Sequence, residues 1–238
     1  IANLQPLTTN LQLLTLSSPD LPQLRSGQLI LARVNDSFDP YLRRAYFPHA
    51  RTSTLDLLIA DTDPLARKMR GDLLDLIAPI GNGFTLEAST RRLLLVGDEA
   101  HLAPLIALAH EATQKQIAIT LLVQGIDGGR QTGPVPAEAA RTGRADGGWR
   151  VLERLLPLDV EYQFASAVPA DLLRWPDQVC AAGPPAMYAQ LRERITQALL
   201  VIANNFVQVI ASPPMACGFG ACLSCAVETT RGVRLACV

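Results

Sequence analysis

The C-terminal segment contains the motif Cys217-Gly-Phe-Gly-Ala-Cys222-Leu-Ser-Cys225, followed by eleven residues and then Cys237. These four cysteines fall within the last 22 residues of the chain, whereas the fifth, Cys180, stands alone. The spacing C-x4-C-x2-C with a distant fourth cysteine is typical of the ligands of a plant-type [2Fe–2S] cluster. The sequence therefore predicts an iron–sulfur site whose metal ligands are the four C-terminal cysteines.

The residues around these cysteines suit such a site. Thiolates are soft ligands, and soft ligands favour iron–sulfur chemistry. The small residues Gly218, Gly220 and Ala221 let the backbone wrap closely, so that amide N–H groups can point at the sulfurs. Arg231 to Leu235 has the pattern of a short strand, which would return Cys237 to the other three ligands.

A structural zinc site with four thiolate ligands stays open as an alternative, because zinc also uses C-x2-C pairs. Zinc sites usually combine two short knuckles, whereas here three candidate ligands share one loop and the fourth is distant. Cys180 lies in an apolar segment and is expected to be a buried strand cysteine that behaves as a small hydrophobe.

The composition is that of a globular protein. The chain has 238 residues, of which 49% are apolar and 18% are charged, and its formal net charge is −1. That length provides one or two domains with a real core. The near-zero charge argues against nucleic acid as a partner, and no apolar run reaches the roughly 18 residues that span a bilayer. The N-terminal segment lacks the order of a signal peptide, so a cytoplasmic protein is expected.

The first part of the chain, residues 1–88, is predicted to form a small antiparallel β-barrel, because many short strands alternate with turns. A short helix is expected at Pro64 to Arg70, capped by Asp63 and ended by Gly71. The predicted strands are Leu11–Leu16, Gln28–Val34, Tyr41–Phe47, Leu55–Ala60 and Leu73–Ala78.

Residues 89–211 are predicted to form a parallel α/β domain, and 212–238 a separate cluster module. Continuous apolar runs alternate with helical periodicity, which is typical of a doubly wound sheet buried on both faces. Gly125 to Arg150 is expected to be a long loop. The predicted elements are strands at Leu93–Val96, Ile117–Val123, Val160–Phe164, Gln178–Ala182 and Val207–Ala211, and helices at Leu102–Glu111 and Pro184–Leu200.

The order of barrel, α/β domain and cluster module is accompanied by several short motifs. They are Ser26-Gly27-Gln28-Leu29, Arg43-Arg44-Ala45-Tyr46-Phe47, Gly71-Asp72, Ala78-Pro79-Ile80-Gly81-Asn82-Gly83-Phe84, Leu93-Leu94-Leu95-Val96-Gly97, Ala103-Pro104-Leu105, Ala182-Gly183-Pro184-Pro185-Ala186-Met187 and the cysteine tail. On these residues the chain resembles the electron-transfer subunits of bacterial dihydroorotate dehydrogenase, within the ferredoxin reductase superfamily.

The resemblance implies an oxidoreductase subunit of pyrimidine biosynthesis. It would relay electrons through [2Fe–2S] between its own FAD and a flavin-bearing catalytic partner, and it would itself hold no catalytic residue. The resemblance also implies that Arg44 pairs with a flavin phosphate and that Tyr46 packs on the isoalloxazine ring. Gly81, Asn82 and Gly83 would complete the flavin site.

The chain departs from the family at both nucleotide sites. Phe47 replaces a hydroxyl residue of the flavin motif, and Asp61 and Asp63 bring negative charge to the second flavin-phosphate loop. The glycine-rich nicotinamide loop is replaced by residues 97–101, Gly-Asp-Glu-Ala-His, whose carboxylates repel a diphosphate. Asp98 and Glu99 are instead expected to cap the following helix.

These departures leave FAD binding open and disfavour NAD(P). They also leave an alternative function: a reductase-fold iron–sulfur protein without flavin or NAD. It would act as a relay or redox sensor for a protein partner.

Overall fold

The computed structural model describes residues 1–7, 11–34, 42–51, 54–124 and 154–238. They divide into two compact units, one made of Ile1–Phe84 with Ala211–Val238 and the other of Thr85–Ile210. The C-terminal cysteine segment thus shares one compact unit with the N-terminal strands. The division into three domains at 88 and 211 stays a prediction.

The N-terminal strands of the first unit form two antiparallel sheets. One has the order β1-β2-β6-β5 and the other β4-β3-β7. The mixed β and α/β class is confirmed, while closure of the sheets into a barrel stays a prediction. The strands are β1 (Asn3–Pro6), β2 (Leu11–Leu16), β3 (Leu29–Arg33), β4 (Arg44–Tyr46), β5 (Pro48–Arg51), β6 (Leu55–Ala60) and β7 (Asp75–Ile80).

The central strands show the alternation of apolar and polar residues that predicts a strand. The strands that the sequence analysis did not predict lack this alternation. In β6, Leu55, Leu57 and Ile59 are buried at every second position, because successive side chains of a strand point to opposite faces. The strands β1 and β5 stand at the two edges of their sheet. The pattern of β1 is largely exposed, so it carries little apolar periodicity.

Several predicted elements differ in their bounds, and two of these differences are instructive. The strand expected at Leu73–Ala78 is β7, and it lies two residues later because it pairs Ile80 with Leu29. The helix expected from Pro64 to Arg70 is a 3₁₀ turn at Pro64–Arg67. It ends early because Lys68 adopts extended backbone angles.

The second unit is a five-stranded parallel sheet with the order β10-β9-β8-β11-β12. After Arg92 every residue of β8 is buried, as expected for a strand covered on both faces. The predicted loop at 125–150 lies outside the described residues. The elements are β8 (Arg92–Asp98), α1 (Ala103–Gln114), β9 (Ala118–Gln124), β10 (Val160–Phe164), α2 (Ala170–Leu173), β11 (Gln178–Ala182), α3 (Pro185–Ala198) and β12 (Val207–Val209).

Helix α3 and the lone cysteine take the positions that the pattern predicts. Met187, Leu191 and Ile195 form the buried face of α3, because residues four apart lie on one side of a helix. Cys180 in β11 is fully buried, and this burial raises the pKa of its thiol. Within the described ranges, no helix is both long and apolar enough to cross a membrane.

The cysteine segment ends in a hairpin made of β13 (Ala226–Thr229) and β14 (Gly232–Leu235), in which Ala226 pairs with Leu235. The hairpin turns the chain back, so that the amide of Ala236 donates to the carbonyl of Cys225 at 3.1 Å. The strand predicted at Arg231–Leu235 is thereby confirmed as β14. Its partner β13 was not predicted.

A small apolar core joins the cysteine segment to the N-terminal strands. Its buried members are Leu29, Leu31, Ile80, Met215, Cys225 and Cys237. We expect Leu31→Ala to lower the free energy of unfolding by about 2–5 kcal/mol, because a buried leucine leaves a cavity when it is truncated. Denaturant unfolding of the full chain measures this loss.

Leu73→Ala is the matched control, because Leu73 in the same unit is 92% exposed. Its effect should stay within about 0.5 kcal/mol. Equal effects of the two substitutions would contradict the assignment of Leu31 to this core.

Candidate functional site

The structure brings the four C-terminal cysteines together as two pairs. The Sγ atoms of Cys225 and Cys237 lie 3.1 Å apart, and both residues are buried. The thiols of Cys217 and Cys222 interact with each other and lie nearer to the solvent. The four soft sulfur donors therefore form two close pairs, one inside the small core and one nearer to the solvent.

The loop between Cys217 and Cys222 is shaped by two glycines. Gly218 and Gly220 have φ angles of +80° and +82°, a region that side chains rarely adopt. A Cβ on Gly218 would lie 2.8 Å from Cδ1 of Leu31, so the loop rests directly on strand β3.

Amide groups of the loop face the sulfurs, which is the arrangement that the small residues predict. The amides of Phe219, Cys222 and Ala221 lower the pKa of the Cys217 thiol. The amide of Gly220 points toward Cys237, although burial raises the pKa of the Cys237 thiol overall. The loop thus supplies the N–H groups that can tune a thiolate ligand.

Ser224 is a site residue that the sequence analysis missed. Its Oγ lies 3.0 Å from Sγ of Cys222. This hydroxyl contact, followed by the amide of Ser224, lowers the pKa of the Cys222 thiol to about 6. The thiolate is the metal-binding form of cysteine, so Ser224 prepares Cys222 for that form. The sequence does contain a signal for this role, because Ser224 lies two residues after Cys222 within the C-x2-C motif.

The predicted flavin residues Arg44 and Tyr46 turn toward a carboxylate of their own chain. The Tyr46 hydroxyl donates to Oδ1 of Asp63 at 2.9 Å, and Nη1 of Arg44 lies 3.5 Å from Oδ2 of Asp63. The ring of Tyr46 is buried in the core of the first unit. Burial, and then the nearby carboxylate, raise the pKa of the Tyr46 hydroxyl.

The remaining predicted flavin residues, Gly81, Asn82 and Gly83, form a turn after β7. The carbonyl of Gly81 accepts from Nε2 of Gln28 at 2.8 Å. A Cβ on Gly83 would lie 2.7 Å from the carbonyl oxygen of Ser26, while Asn82 is exposed. The glycines thus close this turn against the segment that precedes β3. The flavin role of all these residues stays a prediction.

The segment after β8 carries the second acidic departure. Asp98 is 5% exposed. Its Oδ1 accepts from the amide of His101 at 3.0 Å and lies 2.5 Å from Nδ1 of the same residue. In parallel sheets, ligands bind beyond the carboxyl ends of the strands at the switch in strand order. A buried carboxylate stands here at the end of β8, where a diphosphate would need amide donors.

One expectation about this segment is corrected. Asp98 does not cap α1: it caps a short 3₁₀ turn at Glu99–His101, and α1 begins at Ala103 without a side-chain cap. The reason is that residues 99–101 form their own turn before the helix. Tyr188 was not predicted; it accepts from the amide of Gly183 and donates to the carbonyl of Ile210.

Comparison with known proteins identifies the family. Residues 213–238 match the model described as the iron-sulfur cluster binding domain of dihydroorotate dehydrogenase B. The electron transfer subunit of dihydroorotate dehydrogenase B (NAD(+)) from Bacillus caldolyticus is 30% identical over 230 residues, which is 89% of this chain and 81% of that protein. The chain belongs to this family of electron transfer subunits.

A further family member comes from Caldanaerobacter subterraneus subsp. tengcongensis. It is 29% identical over 174 residues, 70% of this chain, and the match spans 61% of that relative's length. The resemblance that the motifs indicated is thereby confirmed for the dihydroorotate dehydrogenase B electron transfer subunits.

Solved structures share the fold of these subunits. A chain of an NADH-dependent reduced ferredoxin-NADP oxidoreductase superposes with a TM-score of 0.72 at 18% identity, covering 100% of this chain and 84% of that one. The ferredoxin reductase in carbazole 1,9a-dioxygenase superposes with a TM-score of 0.61 at 18% identity, covering 88% and 67%. The fold is therefore of the ferredoxin reductase type.

The close contact of Gly218 with Leu31 generates a prediction. We expect Gly218→Ala to reduce the iron bound per chain and to lower the melting temperature, because the added Cβ collides with a buried side chain at a strained φ angle. Iron assay and thermal unfolding of the purified full chain measure both effects.

Gly71→Ala serves as the control, since Gly71 also has a positive φ angle, +96°, but a Cβ there would meet no atom within 4 Å. This variant should keep its iron and lose only the stability due to backbone strain. If both variants retain iron equally, the packing of the loop on β3 is not required for the site.

Proposed function

We propose that the chain is the electron transfer subunit of a B-type dihydroorotate dehydrogenase and relays electrons through a [2Fe–2S] cluster to a catalytic partner subunit. The observation that carries this proposal is that four cysteines, spaced as in a plant-type ligand set, form two close pairs within the segment that matches the family's cluster domain. The names of the relatives supply the partner and the substrate class.

The arrangement of the thiols supports a two-iron cluster over a single zinc ion. A [2Fe–2S] cluster needs two cysteines at each iron, and the sulfurs stand in two pairs, Cys217 with Cys222 and Cys225 with Cys237. Zinc needs four ligands around one point.

The surroundings of the two pairs suit a relay. When bound, a [2Fe–2S] cluster accepts and donates one electron at a time. Cys225 and Cys237 anchor it in the apolar core, which shields that side from water. Cys222 is exposed, which leaves the opposite side open to another protein.

Exposed apolar side chains mark the side on which the catalytic subunit would dock. Phe219, Leu223 and Val238 are 66%, 62% and 64% exposed, and each is within two residues of a cysteine in sequence. Apolar side chains grouped at the surface often belong to an interface. A partner covering them would bring its own redox group next to the exposed thiol pair.

The finer features of the prediction belong to the same proposal. We infer that the two sheets of the first unit close as a barrel resembling an FAD-binding domain, in line with the fold of the reductase neighbours. A cytoplasmic location follows from the proposed assembly with a metabolic enzyme.

A second candidate function is favoured by the carboxylates Asp63 and Asp98. Asp63 contacts Arg44, the residue predicted to pair with a flavin phosphate, and Asp98 is the last residue of β8, where the nicotinamide loop is expected to begin. A relay or redox sensor without either nucleotide would keep the cluster and its partner. An assay of flavin released from the purified protein distinguishes the two candidates.

The ligand assignment is tested with Cys222→Ser. We expect this variant to lose the cluster, because one of four thiolates is removed. Visible absorbance and the iron, zinc and sulfide content of anaerobically purified protein measure the loss. Cys180→Ala is the control, since Cys180 is buried in β11 of the second unit and is not one of the four C-terminal cysteines. It should keep the spectrum of the wild-type protein.

Two results would contradict the assignment. One is an unchanged spectrum and iron content in Cys222→Ser. The other is a colourless wild-type protein with stoichiometric zinc, which would make the site structural.

A further inference from the structure

In the first unit, the carboxylate of Asp63 contacts Arg44 and Tyr46, the residues at which a flavin is expected to bind. We infer that the Asp63 carboxylate takes the donors that such a phosphate would need, so that this subunit does not retain FAD. The inference concerns the flavin half of the proposed relay and rests on that proposed function. Its consequence is that electrons would reach the cluster from a flavin or cluster of another protein.

Three donors converge on the one carboxylate. Oδ1 accepts from the Tyr46 hydroxyl at 2.9 Å and from the amide of Leu65 at 2.8 Å. Oδ2 lies 3.5 Å from the Arg44 guanidinium. The Asp63 side chain is 15% exposed, so it belongs to the folded interior of this corner. A guanidinium, a hydroxyl and an amide are the donor types that also bind phosphate oxygens.

A bound phosphate and Asp63 exclude one another. Both are anions and both need the same donors, and two negative charges within a few ångströms repel each other strongly away from bulk water. Displacing Asp63 would also remove the cap of the 3₁₀ turn at Pro64–Arg67, to which the amide of Leu65 belongs. The donors around Asp63 therefore already have an acceptor without a bound nucleotide.

Tyr46, the aromatic residue of the predicted flavin motif, is also engaged within its own chain. Tyr46 is 9% exposed and packs in a core with Leu14, Ile30 and Leu57. Because so little of this side chain is exposed, an isoalloxazine ring could stack on it only if that core opened. The next residue, Phe47, packs against the core that contains Cys225 and Cys237. It supports the cysteine segment instead of offering a hydroxyl to a ligand.

Asp61 provides a matched control for Asp63. It carries the same charge two residues earlier in the same loop, but it is exposed. If general repulsion by the loop were responsible, the two aspartates would weaken flavin binding alike. If occupation of the donors is responsible, only Asp63 matters.

The experiment compares wild-type protein with Asp63→Asn and Asp61→Asn, each purified anaerobically as the full chain with its iron. The asparagine at 63 keeps an oxygen for Leu65 and Tyr46 but removes the charge that holds Arg44. FAD is added and its dissociation constant is measured by quenching of flavin fluorescence. We expect Asp63→Asn to bind FAD at least tenfold more tightly than wild type, and Asp61→Asn to stay within twofold of wild type.

The inference is overturned if wild-type protein carries one FAD per chain after purification, or if Asp63→Asn gains no more affinity than Asp61→Asn. Should Asp63→Asn fail to fold, Asp63→Ser replaces it, because serine also caps a helical turn. Iron content reports separately on the proposed function. A protein without iron contradicts the relay, whereas an iron-loaded protein that binds FAD contradicts only this inference.

Discussion

The contact between the loop at Gly218 and Leu31 of strand β3 is the constraint on which the cysteine site depends. A Cβ at position 218 would lie 2.8 Å from Cδ1 of Leu31, so the buried leucine would have to shift to admit a side chain there. The same core buries Cys225 and Cys237. Because protein interiors are close-packed, this contact fixes where the loop lies, and the β13–β14 hairpin then returns Cys237 to within 3.1 Å of Cys225. The C-terminal segment is thus built onto the N-terminal strands.

Two carboxylates, Asp63 and Asp98, bear on whether this chain shares the nucleotide binding that the family resemblance implies. The carboxylate of Asp63 contacts Arg44, Tyr46 and the amide of Leu65. The carboxylate of Asp98 contacts the backbone amide and the ring Nδ1 of His101. Each accepts from donor groups of the kinds that also bind phosphate oxygens. The four C-terminal cysteines keep the spacing of the plant-type ligand set. Under the proposed function, the chain keeps its electron-transfer site, while its own carboxylates occupy the positions predicted for nucleotide phosphates.

Local patterns predicted the elements that have strong periodicity. The buried strand β8 and the helix α3 with Met187, Leu191 and Ile195 follow directly from apolar runs and four-residue spacing. Edge strands such as β1 and the early end of the 3₁₀ turn at Arg67 were not predictable in this way. Their bounds depend on pairing partners elsewhere in the chain, and local sequence does not encode those partners strongly.

The donor types of the candidate site can be predicted from the sequence alone. Four cysteines at plant-type spacing predict the donor set, because ligand type and spacing are local properties. The tertiary fold sets how these donors are placed, with one pair buried in the core that contains Leu31 and the other pair nearer to the solvent. It also decided that Asp63, and not its neighbour Asp61, meets Arg44 and Tyr46. Such contacts join residues far apart in the chain, and packing alone brings them together.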